Sequence, residues 1–129
     1  MRGRRPSLVE SRSAVHYDRP PMAERWLRGR LRDGTAAPAS GEDVERLLDL
    51  NGVVVEQILS GELEGRVDYR QDTDEWVVLL EGRATLVVAG EDMLLEAGEW
   101  LWLPAGVEHT LVETAQGSNW LAIHVKRSE

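Results

Sequence analysis

The chain has 129 residues, enough for one domain with a single core. It contains no cysteine, so neither a disulfide framework nor a thiolate metal site can form, and a reducing compartment is expected. Its net charge of −8 hides a split: residues 1–40 carry +5, all of the basic charge from arginine, and residues 41–129 carry −13. An acidic body argues against a nucleic-acid-binding face on the folded part. No apolar run approaches the roughly 18 residues of a membrane span. Arg2, Arg4 and Arg5 are followed by no apolar stretch, so a secretory signal is not expected and a cytoplasmic protein is.

Residues 1–39 are rich in Arg, Pro, Ser, Gly and Ala and show no sustained period. They read as a basic, largely disordered leader, its arginines solvated or lying on the acidic domain. Within it, Met22, Trp26 and Leu27 are spaced for one face of a short helix around Met22 to Leu31. The domain is expected over 40–129. Ser40 can cap a helix over 41–50, with Glu42 in its first turn and Asp43 near the capping-box position. Val44, Leu47, Leu48 and Asn51 share a helical face, and Asn51-Gly52 offers the left-handed stop a helix end wants.

From Gly52 to about residue 126 the pattern is that of strands. They are Val53–Leu59, Arg66–Gln71, Glu75–Leu80, Ala84–Val88, Met93–Leu95, Trp100–Leu103, Val107–Glu113 and Asn119–Val125. Glu81-Gly82-Arg83 reads as a hairpin turn, and Ala89–Asp92 as a second turn of the same meander. Short strands with turn signals about every ten residues predict an all-β sandwich or barrel. No helices separate the strands, which excludes a parallel α/β sheet. Several strands are apolar on both faces: Trp76, Val78 and Leu80 oppose Val77 and Leu79, and Trp100 and Trp102 oppose Leu101 and Leu103. Two dry faces predict a second burial partner, most simply a homodimer. In the last strand Leu121, Ile123 and Val125 read as core, which puts His124 outside or at an interface.

The segment Gly98-Glu99-Trp100-Leu101-Trp102-Leu103-Pro104-Ala105-Gly106-Val107-Glu108-His109 carries the most information. It resembles the second signature of the cupin family, G-x5-P-x-G-x2-H-x3-N, at Gly98, Pro104, Gly106 and His109, with Glu113 where many members carry asparagine. The first signature, G-x5-H-x-H-x(3,4)-E-x6-G, is met at Glu75 and Gly82, but Tyr69 and Gln71 stand at the two histidine positions. The longer run Tyr69-x-Gln71-x3-Glu75 through Gly82 to Leu86 is similar to a group of small bacterial cupins that share Tyr and Gln there. The resemblance covers about residues 53–126 and implies a jelly-roll barrel. It is weak on activity, because the superfamily includes dioxygenases, isomerases, epimerases, lyases, decarboxylases and non-catalytic binders.

Position by position, the resemblance implies a pocket of Tyr69, Gln71, Glu75 and His109, the constellation that holds Fe, Mn, Ni or Zn in metal cupins. Side chains alternate along a strand, so Tyr69 and Gln71 point the same way. Glu75 and His109 supply one carboxylate and one imidazole, and Tyr69 could join them as phenolate; neutral Gln71 is a weak ligand. Glu75, His109 and Tyr69 are thus both the candidate catalytic groups and the candidate metal ligands. Gln71, Glu113 and Trp102 are the candidate substrate contacts, with Glu113 reading as a second carboxylate on the face of His109. Each has a plainer role too: His109 can hydrogen-bond a backbone carbonyl, Glu75 can be solvated, and Tyr69 can be a wall residue. Two functions stay open. One is a small-molecule enzyme, metal-assisted or not, acting on a small organic acid or sugar-like substrate. The other is a non-catalytic ligand-binding or scaffold protein without metal.

Overall fold

The computed structural model describes residues 26–127. These residues form nine strands: β1 (Glu42–Leu50), β2 (Val53–Ser60), β3 (Val67–Tyr69), β4 (Thr73–Glu81), β5 (Arg83–Val88), β6 (Glu91–Glu96), β7 (Trp100–Leu103), β8 (His109–Thr114) and β9 (Ser118–Lys126). They pair antiparallel in two sheets, ordered β1-β2-β9-β4-β7 and β3-β8-β5-β6. The sheets face each other across one core, the jelly-roll arrangement expected from the strand pattern. Val77, Leu79, Leu103, Trp120 and Ala122 meet Leu86, Leu95 and Leu111 there. Leu79 is fully buried, a contribution of about 1.5–3 kcal/mol relative to leaving it in water.

Residues 41–50 are not a helix. They form the edge strand β1, paired with β2 from Glu42↔Ser60 to Leu50↔Val53. An extra residue between Arg46 and Leu48 breaks the register. That bulge gives Val44, Leu47 and Leu48 their helix-like spacing on a strand. Asn51 and Gly52, with φ of 55° and 82°, are the two central residues of a tight hairpin. The left-handed conformation is the one expected, but it turns a strand rather than ending a helix.

Glu81-Gly82-Arg83 is likewise not a hairpin turn. β4 pairs with β7 and β9, whereas β5 pairs with β6 and β8, so the chain changes sheets at this corner. Gly82 (φ 95°) lies so close to Ser118 that a Cβ would collide with its side chain and backbone.

The described part of the leader also departs from expectation. Residues 26–31 form no helix; Met22 to Arg25, and with them the rest of that predicted helix, lie outside the described residues. From Arg32 the chain packs onto the outer face of the five-stranded sheet, so the ordered domain begins before residue 40. The Arg32 N–H donates to Gln57 Oε1, and its carbonyl accepts from Gln57 Nε2 and Asn119 Nδ2. The Arg32 guanidinium pairs with Asp43 and Glu45, and Gly34 N–H donates to Glu81 Oε2. A 3-10 turn over Gly34–Ala36 follows, capped by Asp33. This strap satisfies Gln57 and Asn119, which are 0% and 2% exposed, as buried amides require.

Candidate functional site

The inner face of the five-stranded sheet is set by β4 and β9. Glu75, Val77 and Leu79 point inward from β4, in register with His124, Ala122 and Trp120 of β9. His124 is therefore inside the barrel and Leu121, Ile123 and Val125 are outside, the reverse of the sequence expectation. Both faces of β9 are apolar enough to be core, and packing against the second sheet decides between them.

Tyr69 and His109 are direct register partners on β3 and β8. Both are buried, and their rings stack with centroids 5.3 Å apart. His109 Nδ1 lies 3.4 Å from the Val107 carbonyl oxygen, the plainer role considered for it. The Tyr69 hydroxyl donates to Glu42 Oε1 at 2.9 Å. The other Glu42 oxygen accepts from Ser60 Oγ, which accepts from the Trp120 indole N–H. Glu75, 1% exposed, accepts a hydrogen bond from the Gln71 amide. Glu75, His109, Tyr69 and Glu42 form the polar wall of a cavity of about 30 Å³, lined otherwise by aliphatic side chains and Trp120. That volume admits a water or two.

Behind Glu75 lies a second polar group that the sequence reading did not place. His124 Nε2 is 3.3 Å from Glu56 Oε1 and 4.0 Å from Glu75 Oε2, and its Nδ1 is 3.3 Å from Thr73 Oγ1. Glu56 is 5% exposed. Two carboxylates this deeply buried require a partner, and the imidazole between them provides it. Glu42 was missed because it was assigned to a helix. Glu56 carried a usable signal, an acid within the apolar run Val53–Leu59.

The Pro104–Gly106 turn is fixed to the loop before β4. Gly106 N–H donates to the Gln71 carbonyl at 2.8 Å, and Ala105 N–H donates to Asp74 Oδ1 at 2.9 Å. The Ala105 hydrogen bond, opposed by burial and aided by Arg127, holds the Asp74 carboxyl below the usual aspartate range. Two loops that contribute site residues are thereby locked together.

Two expected contacts lie elsewhere. Trp102 is 51% exposed on the outer face of β7, opposite Trp76, so it does not line the cavity. Glu113 is also exposed. β8 carries an extra residue between the pairs Thr85↔Glu113 and Leu86↔Leu111, and this bulge turns Glu113 away from the face of His109.

The side chains present do not fit a resident divalent metal. Of the carboxylates and imidazole at the cavity, Glu42 is committed to the Tyr69 and Ser60 hydroxyls, Gln71 presents its amide N–H to Glu75, and the Tyr69 hydroxyl is engaged by Glu42. Among the described residues no group of three His, Asp or Glu side chains is placed to hold a metal ion. What the cavity offers is hydrogen bonding and proton exchange through one imidazole and two carboxylates.

Comparison with known proteins agrees with the architecture. The family model of the cupin domain matches residues 54–124. A candidate mannose-6-phosphate isomerase from Ralstonia eutropha JMP134 has a similar structure, with 27% identity, 77% of this chain and 100% of that chain covered, and a TM-score of 0.64. An RmlC-like cupin from Shewanella frigidimarina NCIMB 400 superposes over 79% of this chain and 95% of its own at 15% identity, TM-score 0.61. KdgF from Halomonas sp. does so over 69% and 82% at 14% identity, TM-score 0.58. The last two likenesses bear on the fold alone. Comparison with curated proteins gives no match. No helix among the described residues is long and apolar enough to cross a membrane.

Proposed function

Because the chain belongs to the cupin family, we propose that it binds a small organic molecule inside its barrel through Tyr69, Glu75 and His109, without help from a metal. The observation that carries this reading is the convergence of these buried side chains, with Glu42, on one small cavity between the two sheets. Buried carboxylates and an imidazole are costly to keep there, and serving a ligand is a reason to keep them. The name of the R. eutropha relative, for an isomerase of a sugar phosphate, favours a ligand with a sugar-like hydroxyl-bearing part, although no Lys or Arg among the described residues lines this cavity to meet a phosphate. A cavity of about 30 Å³ takes one polar group of such a ligand, whereas whole small molecules occupy sites of about 300–1,000 Å³. Gln71 acts in this reading by orienting Glu75.

A second reading, an acid–base enzyme, is favoured by a carboxylate and an imidazole sharing one cavity. Isothermal titration with a panel of aldoses and short organic acids tests the first. Binding should weaken about tenfold or more in His109→Ala and in Glu75→Gln, a loss of about 1.4 kcal/mol, and should survive EDTA. Affinity indifferent to both substitutions, or abolished by EDTA, overturns the proposal. Turnover of any bound compound, lost in His109→Ala, would establish the second.

The proposal extends to a two-fold dimer through the outer face of the five-stranded sheet. Trp100 and Trp102 are 57% and 51% exposed there, beside Trp76, with Leu80 and Val125 also exposed.

A further inference from the structure

A larger surface groove lies at residues that adjoin the cavity wall in the chain and in the core packing. The two sheets leave β1 and β3 as facing edges, and the Tyr69–Glu42 hydrogen bond spans the seam between them. Nearby lies a groove of about 310 Å³, lined by the chain at residues 40–41 and 63–67, with both Glu64 and Arg66 among its walls. Gly41 adjoins Glu42 in the chain, and Val67 shares with Tyr69 one face of β3. Leu63 and Val67 pack directly against the core cluster that includes Tyr69. Outward rotation of Tyr69 would therefore join the groove to the cavity, and the groove alone has the volume of a small-molecule site.

The charge of the interior restricts what can enter. Glu42 and Glu75 line the cavity, and Glu56 lies behind Glu75. His109 and His124 face them, and no Lys or Arg lines the cavity. An entering anion would therefore meet carboxylate oxygens and find no guanidinium or ammonium group among the lining residues. An anion left without a cationic partner in this interior is costly to bury. The carboxylates accept hydrogen bonds from Tyr69, Ser60 and Gln71, and the hydroxyls of a ligand are donors of the same kind.

We infer that the β1–β3 seam is the entrance to the barrel, latched by Tyr69 and Glu42, and that it admits a neutral, hydroxyl-bearing molecule in preference to an anion. This rests on the proposal that the ligand site is the interior cavity.

The Trp120 indole N–H, bonded to Ser60 Oγ within the Glu42 network, reports on both claims by nuclear magnetic resonance. Sorbitol and gluconate serve as matched six-carbon probes, one neutral and one anionic. Sorbitol should shift the Trp120 indole signal of the full-length protein at concentrations where gluconate does not. Tyr69→Phe should speed exchange of that indole hydrogen about tenfold while the amides of β4 and β9 keep their rates. Gly65→Phe fills the groove, since nothing lies within 4 Å of the position of a Cβ there. Because the cavity of about 30 Å³ takes only one polar group of the ligand and the rest lies in the groove, this substitution should weaken sorbitol binding about tenfold without moving the indole signal of the free protein. Unchanged exchange in Tyr69→Phe, equal acceleration of the sheet amides, or undiminished binding in Gly65→Phe overturns the entrance. A response to gluconate as large as that to sorbitol overturns the neutral-ligand claim. No response of Trp120 to either probe in any variant removes the interior site itself, and the entrance falls with it.

Discussion

His124 and Asp74 each hold part of the site through one side chain. Removing the His124 imidazole leaves Glu56 and Glu75 buried without the group that lies between them. His124→Ala should therefore cost about 3 kcal/mol in urea unfolding, the range for breaking a buried pair, and adding Glu56→Gln should recover part of it. A loss under about 0.5 kcal/mol would mean that the three groups are uncoupled. Asp74 works through charge. Its folded carboxyl is held below the usual aspartate range, chiefly by Ala105 N–H. The stabilisation it gives is thus present above that range and lost as pH falls through the depressed value. Melting temperatures of wild type and Asp74→Asn should differ at pH 7 and converge below about pH 4; a gap that persists into acid would show that charge is not the cause. Neither role was legible in the sequence. His124 alternates with Leu121, Ile123 and Val125 in a strand apolar on both sides, and Asp74 sits in an ordinary polar turn.

At the scale of elements, the pattern of short strands was readable because alternation and turn residues mark each one locally. β1 was not, since its bulge imitates helical spacing and its strand state is fixed by pairing with β2. The Asn51-Gly52 pair pointed to a hairpin more directly than to a helix stop. The same locality limited the site: Tyr69, Glu75 and His109 came from a recognisable family pattern, whereas the bulge in β8 that removes Glu113 leaves no trace in spacing. The strap from Arg32 to Ala36 was hidden in a compositionally disordered leader. It depends on Gly34, which is buried with the Gly117 carbonyl against the position of a Cβ. Gly34→Ala should lift the strap, lower stability by about 1–3 kcal/mol and speed exchange of the Gln57 and Asn119 side-chain amides. A variant as stable as wild type would mean that the strap adds little to the sheet.

At the scale of the whole molecule, two apolar faces on one sheet remain the feature that a monomer explains least. The inner face is closed by the second sheet, but the outer one presents Trp100 and Trp102 beside Trp76, with Trp76 and Trp100 ring centroids 6.0 Å apart. The strap covers only the part of this face around Gln57 and Asn119. A tryptophan left half in water forgoes much of the stabilisation that its large apolar surface would bring on burial. A self-complementary patch related by a two-fold axis recovers it with a single kind of contact. Sedimentation velocity at micromolar concentration should therefore give twice the chain mass of 14.5 kDa. Trp100→Glu with Trp102→Glu should return the monomer with its melting curve still cooperative, because neither side chain reaches the inner core. A wild-type protein that sediments as a monomer up to about 100 μM, a range in which the weaker specific interfaces still associate, would rule out a stable dimer through this face.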